Sequence, residues 1–365
     1  MREFACTLVY IWDKKMKIRK EKNFISCFDN KTGVYIRTGV IKNGRETDED
    51  PFMASFPELL DIGIMGHCKH GQSGLCLQSG IQCYQNGYDS KAANMSLHDF
   101  QRIISECKDN TYQVALGGCG DPDQHESFEE ILKTCVEAEI VPNFTTSGLG
   151  MTKEIAVLCK KYCGAVAVSW YRSQYTLDAI SLLLEAGVKT NIHYVLMKDT
   201  IREAIELLEG NKFPRGINAV VFLVHKPVGL GSVEQVIKND NKDFEEFLKC
   251  VEQNDFPFKI GFDSCTVPAL VGKAGFDPVY MDTCEGGRWS AYISADMKMM
   301  PCSFDNQQQK WSVNLRLNTI KEAWLSEEFD DFRSNFRNKC PDCENRRNCM
   351  GGCPICPEIV LCMNH

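Results

Sequence analysis

The chain has 365 residues, 44% hydrophobic and 25% charged, enough for one large domain and a smaller one with real cores. Its net charge of −8 argues against a nucleic-acid binder, and the basic run Lys14 to Lys22 reads as a solvated face. Twenty cysteines in so long a chain, with no signal-peptide pattern in the apolar start Phe4–Trp12 and no stretch of about twenty apolar residues, exclude a secreted disulfide scaffold and a membrane span and make a reducing cytoplasm the expected setting.

Residues 1–57 read as short extended segments around the turn Asp29-Asn30-Lys31-Thr32-Gly33, followed by the acidic patch Glu46–Asp50 and Pro51. This N-terminal extension is either a cap on the next domain or an edge to which a peptide strand can be added. From Glu58 onward, β-rich runs alternate with helical ones. Strands are predicted at Glu58–Ile64, Tyr112–Leu116, Ile140–Phe144, Gly164–Ser169, Lys189–Leu196, Ala219–Val224 and Phe258–Phe262. Helices are predicted at Leu97–Cys107, with Ser96 as N-cap, then Ser127–Ala138, Lys153–Tyr162, Leu177–Ala186, Arg202–Leu208 and Lys242–Val251. Repeated β-α units make a parallel sheet with right-handed crossovers, and these are too few for a closed eight-fold barrel. The expected fold is α/β, a partial (β/α)6 barrel over residues 58–262, with its chemistry at the C-terminal ends of the strands. After Phe262 the alternation fades, and residues 263–365 form a small cysteine-rich C-terminal domain.

The first strand runs into a glycine-rich loop carrying Cys68, Cys76 and Cys83, the last followed by Tyr84. Three thiols at the top of the first strand leave a fourth metal position open, as a catalytic site requires. A mixed zinc site using His67 or His70 is the alternative. With its aromatic after the third cysteine, the loop resembles that of the radical S-adenosylmethionine enzymes, although the family's usual Cys-x3-Cys-x2-Cys is here Cys-x7-Cys-x6-Cys. Gly117-Gly118-Cys119-Gly120-Asp121-Pro122 after the second strand is similar to the family's Gly-Gly-Glu-Pro, with the acid displaced to Asp121. Glycines there let a ligand approach the backbone. Ser147, Ser169 and Asn191, on the next three strands, resemble further cofactor contacts. The resemblance implies S-adenosylmethionine bound by Tyr84, Gly117, Gly118, Asp121, Ser147, Ser169 and Asn191, over a 4Fe-4S cluster on Cys68, Cys76 and Cys83.

The chain closes on Cys340-x2-Cys343-x5-Cys349-x3-Cys353, with Cys356 and Cys362 beyond and Cys265, Cys284 and Cys302 upstream. Dense fixed spacing of this kind points to metal, and a zinc ribbon at 340–353 is the simpler reading. The whole set resembles the SPASM domain of peptide-modifying radical S-adenosylmethionine enzymes. By that resemblance Cys265, Cys284, Cys302 and Cys353 hold one auxiliary 4Fe-4S cluster, and Cys340, Cys343, Cys349 and a late cysteine hold a second. Cys362 is preferred to Cys356 as the late ligand, because Cys356 follows Cys353 so closely that it would crowd two clusters onto one turn. Met297 stands where the family has a glycine. Cys107, Cys135, Cys159 and Cys250 fall in helical patterns and read as small buried hydrophobes.

The resemblance implies hydrogen abstraction by a 5′-deoxyadenosyl radical. The expected function is a maturase that cross-links a ribosomally made precursor peptide, with a Cys thioether as the expected bond. A carbon–carbon cross-link is the nearest rival. A formylglycine-generating sulfatase maturase is disfavoured because Ser303 stands where that group carries an Asp base. A zinc-binding interaction protein is the alternative from another class. Expected partners are the precursor peptide and an electron donor such as ferredoxin or flavodoxin, with no nucleic acid and no membrane. No general base or nucleophile constellation stands out in the sequence.

Overall fold

The computed structural model describes residues 16–362 apart from Asp48, Gly272, Ala274, Lys339 and Pro341. Phe4–Trp12, Cys6 and the start of the basic run lie outside the described residues. The extension forms an antiparallel sheet of β1 (Lys17–Lys20), β2 (Ile25–Phe28) and β3 (Tyr35–Arg37), followed by the small ladder of β4 (Ile41–Lys42) and β5 (Arg45–Glu46). The predicted turn joins β2 to β3, with Asp29 Oδ1 accepting from Lys31 N at 2.9 Å and Gly33 at a φ of 76°.

Seven parallel strands follow: β6 (Leu59–Met65), β7 (Gln113–Gly118), β8 (Val141–Thr146), β9 (Val166–Ser169), β10 (Thr190–Leu196), β11 (Ala219–Val224) and β12 (Lys259–Phe262). Their order in the sheet is their order in the chain. Two short turns of helix, α1 (Lys69–Gln72) and α2 (Leu75–Gln78), fill the loop after β6. The crossover helices are α3 (Leu97–Cys107), α4 (Phe128–Glu137), α5 (Lys153–Tyr162), α6 (Gln174–Glu185), α7 (Ile201–Glu209) and α8 (Lys242–Gln253). α6 starts three residues before its expected position because Ser173 caps it, its side chain accepting from Thr176 N. The sheet stays open: β12 is an edge strand, and the other end is extended beyond β6.

That extension belongs to the cysteine-rich region, so residue 263 is no break in the sheet. β13 (Ser290–Ile293) pairs in parallel with Leu59–Ile62, and β14 (Lys298–Met300) and β15 (Val313–Asn314) continue antiparallel. In the β13–β14 turn Met297 takes a φ of 68°, the left-handed conformation that a glycine adopts freely. For an L-residue this costs about 1–2 kcal/mol, offset here by the burial of its side chain.

The N-terminal sheet lies across the N-terminal ends of the barrel strands. Glu58, just before β6, accepts from Ser26 Oγ at 2.6 Å and from the Tyr35 hydroxyl, and Tyr112 before β7 donates to Ser26 O at 3.0 Å. Lys17 donates to Glu139 O at 2.6 Å before β8, and Lys189 before β10 donates to Thr32 O at 2.8 Å. The basic run is thus more than a solvated face. Arg19 pairs with Glu21 and donates to Phe56 O at 2.7 Å and Asn110 O at 2.6 Å. This sheet is thus tied to the segments that lead into β6, β7, β8 and β10.

Candidate active site and cysteine-lined cavities

Alternation along β6 sets the first cavity. Leu60, Ile62 and Ile64 are fully buried against the helices, which turns Leu59, Asp61 and Gly63 toward the barrel interior. At the C-terminal ends of β6–β11 the interior opens into a cavity of about 390 Å³, lined by Cys68, Cys83, Tyr84, Gly117, Gly118, Asp121, Ser147 and Ser169 among others. Seven residues expected around one cofactor or its cluster share this wall with Cys68. Asn191 does not: it stands near the N-terminal end of β10, accepting from Asn218 Nδ2 at 2.7 Å, and His193 takes the cavity position two residues further along the same face.

The two glycines play different parts. Gly118 has a φ of 109°, and a Cβ there would come within 2.5 Å of Met65 O, so the fold itself needs the glycine. A Cβ on Gly117 would meet nothing within 4 Å, so its missing side chain leaves room in the cavity. Asp121 is fully engaged, accepting from Ser147 N and Ser147 Oγ, both at 2.6 Å. Two buried donors on this wall, Trp170 Nε1 and Gln85 Nε2, lack a partner among the described residues.

On the loop, Cys68 Sγ accepts from Gly71 N at 3.0 Å and caps α1. Burial pushes its thiol up to about 12, with Asp121 and Cys83 adding to the rise. Burial and then Cys83 raise Cys76, and all three loop cysteines act on the buried phenol of Tyr171. Cys68 and Cys83 thus stand on the cavity wall, while Cys76, on α2 of the same loop, is not part of its lining. Of the loop's histidines, His67 Nδ1 lies 3.2 Å from Ala92 O, and His70, which lines the same cavity as Cys68 and Cys83, has its Nε2 2.7 Å from the Tyr175 hydroxyl.

A second cavity, of about 290 Å³, shares Asp61, Gln82, Tyr84, Val195, Leu223 and Ser303 with the first. Its far side carries Cys265, Cys284, Cys302 and Cys353 together. A third, of about 410 Å³, shares Cys265, Cys284 and Cys353 with the second and adds Cys340, Cys343, Cys349 and Cys362. After burial, the groups that raise Cys349, beyond the lowering by Gly351 N, are Cys362, Cys340 and Cys343. Cys356 lines none of these cavities; it is buried against Cys353, its N–H reaching Cys353 Sγ at 3.3 Å.

These donor sets suit iron–sulfur clusters. Burial pushes Cys284, like Cys68, up to about 12, and thiols so disfavoured as thiolates become good ligands only to a metal, which deprotonates them outright. Among the described residues no three Cys, His, Asp or Glu side chains are gathered tightly enough to chelate a single ion.

Sequence reading missed Asp61. Its carboxyl faces the junction of the first two cavities, and burial pushes it up to about 6. A lone acid at an inward position of a strand reading Leu-Leu-Asp-Ile-Gly-Ile-Met is the signal that alternation alone offers. Lys226 and its ion-pair partner Asp263, at the ends of β11 and β12, were missed as well. Tyr84 keeps 38% of its surface because that surface lines the cavities from inside, where its ring stands 5.1 Å from Phe304.

Comparison with known proteins bears on both halves of this arrangement. Residues 284–350 match the SPASM family, an iron–sulfur cluster-binding domain. No curated protein sequence matches the chain. Among solved structures, Streptococcus suis SuiB bound to S-adenosylmethionine aligns at a TM-score of 0.67 and 16% identity, over 95% of this chain and 98% of SuiB. SuiB bound to its precursor peptide SuiA aligns at 0.68 and 17%, with the same coverage. The anSMEcpe enzyme with bound AdoMet and Cp18Cys peptide aligns at 0.59 and 18%, over 83% of this chain and 91% of that one. At these identities the likeness is one of fold, and it extends across nearly the whole chain. No helix among the described residues is long and apolar enough to cross a membrane.

Proposed function

We propose that this chain is a radical S-adenosylmethionine enzyme that cross-links a precursor peptide, with three 4Fe-4S clusters and a Cys thioether as the bond formed. The observation that carries the reading is the row of three contiguous cavities, with Cys68 and Cys83 on the wall of the first, four cysteines at the second and four more at the third. The fold shared with SuiB, whose structures hold S-adenosylmethionine or a precursor peptide, supports it, as does the SPASM match.

Cys68, Cys76 and Cys83 would hold the cluster that binds S-adenosylmethionine; Cys265, Cys284, Cys302 and Cys353 the first auxiliary cluster; and Cys340, Cys343, Cys349 and Cys362 the second. Loaded in this way, the first cavity supplies a 5′-deoxyadenosyl radical able to remove a hydrogen atom from a peptide C–H bond. The chain's own residues do the rest. Gly117 leaves space for the cofactor, and Trp170 Nε1 and Gln85 Nε2 offer it unspent donors. The second cavity takes the reacting part of the peptide between the two sites, walled by Tyr84, Leu223 and Phe304 against water. Asp61 Oδ is placed to accept the proton that a substrate thiol loses as its sulfur bonds to carbon. Ser303 offers no carboxylate, which favours this reading over formylglycine formation. The N-terminal sheet, at the far end of the barrel, acts as a closing cap, and a cytoplasmic setting with a ferredoxin- or flavodoxin-type donor completes the reading.

Mass spectrometry of a cysteine-rich peptide encoded beside this chain and co-expressed with it tests the bond. A loss of two hydrogens at a site that resists thiol alkylation is expected. An unchanged mass with every thiol alkylatable rejects the thioether.

A further inference from the structure

Cys119 belongs to none of the three ligand sets, yet it stands with Cys68 and Cys83 on the wall of the first cavity. It follows Gly118, the last residue of β7, and its N–H donates to Met65 O at 2.8 Å, at the end of β6. Its surroundings are the cysteine loop itself. A Cβ on the next residue, Gly120, would lie 2.3 Å from His67 O and 3.2 Å from Cys68 Cα. A Cβ on Gly87 would lie 2.9 Å from Cys68 Cβ, 3.4 Å from Cys68 Sγ and 3.7 Å from Cys119 O. These two glycines let three segments meet: the end of β7, the start of the loop with Cys68, and the residues after Cys83. The thiol turns toward the last of these, Cys119 Sγ donating to Gln85 O at 3.4 Å. That bond is weak and easily given up. Gln85 is 5% exposed, lines the same wall, and its Nε2 has no partner among the described residues, a second unspent group at this spot.

We propose that Cys119 is an exchangeable fourth thiolate ligand of the cluster held by Cys68, Cys76 and Cys83, bound at its open iron until S-adenosylmethionine displaces it. This rests on the reading above that the loop cysteines hold that cluster. The exchange is a ligand substitution with no change of oxidation state. The bond from Cys119 Sγ to iron breaks, a bond from the cofactor's amino nitrogen forms, and the proton that the ammonium gives up on binding the metal passes to the released thiolate. Cys119 then donates its S–H to Gln85 O. Until the cofactor arrives, the fourth thiolate guards the open iron against oxidative loss. It also lowers the apparent affinity for S-adenosylmethionine by the fraction of molecules in which Cys119 is released.

The test is calorimetry of S-adenosylmethionine binding to the full chain reconstituted anaerobically, with iron counts and electron paramagnetic resonance alongside. Cys119→Ala is expected to keep its iron and to bind S-adenosylmethionine about tenfold more tightly, the gain when a competing ligand that is off in about one molecule in ten is removed. Brief ferricyanide oxidation without the cofactor should give Cys119→Ala a three-iron cluster signal several times that of the wild type. Lost packing alone weakens binding, so the sign separates a ligand from a structural residue. Unchanged or weaker binding, an unchanged three-iron signal, or a loss of about four irons in Cys119→Ala, which would make the residue an obligatory ligand, each overturns the proposal. An iron and sulfide count that does not fall when Cys68 and Cys83 are both replaced by alanine refutes the underlying cluster reading instead.

Discussion

Replacing Arg288 by alanine should destabilise the protein by about 3 kcal/mol. Its side chain is 1% exposed and spans two regions far apart in sequence. The guanidinium donates to both oxygens of Asp50, at 2.7 and 2.6 Å, and through Nε to Phe52 O at 2.8 Å. Through Nη1 it holds Thr283 Oγ1 at 2.8 Å and Cys284 O at 3.1 Å. Breaking a buried ion pair costs about 3–5 kcal/mol, because the partner is left uncompensated. The Asp50 side chain keeps 23% exposure, so water can take up part of its charge and the lower end of that range applies. With a urea m-value of about 3 kcal/mol/M, the midpoint falls by about 1 M. The assay is a urea titration of the holoprotein followed by tryptophan fluorescence and, in parallel, by retained iron, since Cys284 loses an anchor at its carbonyl. Arg288→Lys should recover only part of the loss, because one ammonium cannot reach Asp50, Phe52 O and Thr283 Oγ1 as the three guanidinium nitrogens do. A midpoint shift under about 0.3 M, or no coupling between Arg288→Ala and Asp50→Ala in a double-mutant cycle, would refute the reasoning.

Gly117→Ala should fold normally but bind S-adenosylmethionine at least about tenfold more weakly by calorimetry, whereas Gly118→Ala should lose about 2 kcal/mol or more in the urea titration, given its φ and the 2.5 Å approach to Met65 O. Equal behaviour of the two variants contradicts the cradle. Cys356→Ala should keep the iron count of roughly twelve per chain that three cubane clusters require, and Cys362→Ala should lose about four; the reverse pattern would exchange their roles. Asp61 accepts a proton only when ionised, so the cross-linked product formed per 5′-deoxyadenosine should rise with pH through about 6 and level off above it. The groups acting with it at the cavity junction are Tyr84, Tyr292, Glu285 and Cys302. Asp61→Asn should flatten that profile at a ratio about 10²-fold lower, and a wild-type ratio independent of pH counts against the role.

The barrel was legible because its signals are local. Strand periodicity and the Ser96 cap each act within about ten residues. The errors have long-range causes. Nothing near Ser290 announces that β13 will pair with Leu59–Ile62 across more than two hundred residues of chain. Asn191 was expected at the cofactor by resemblance, yet the cavity belongs to the C-terminal end of β10 and is lined by His193. Asp61 hid in an apolar strand because a single inward carboxyl has no partner in sequence. The cysteines could be counted and spaced, and spacing already preferred Cys362 to Cys356; the structure adds that Cys356 is buried against Cys353 while Cys362 lines the cavity with Cys340, Cys343 and Cys349. At Met297 the turn is left-handed although the residue there is not glycine.

The most direct measurement is to reconstitute the full chain anaerobically, add dithionite and S-adenosylmethionine, and quantify 5′-deoxyadenosine and methionine by chromatography and mass spectrometry. Radical cleavage predicts that both products form in equal amounts and disappear together when Cys68, Cys76 and Cys83 are replaced by alanine. Intact S-adenosylmethionine after incubation with fully iron-loaded, reduced protein would contradict it.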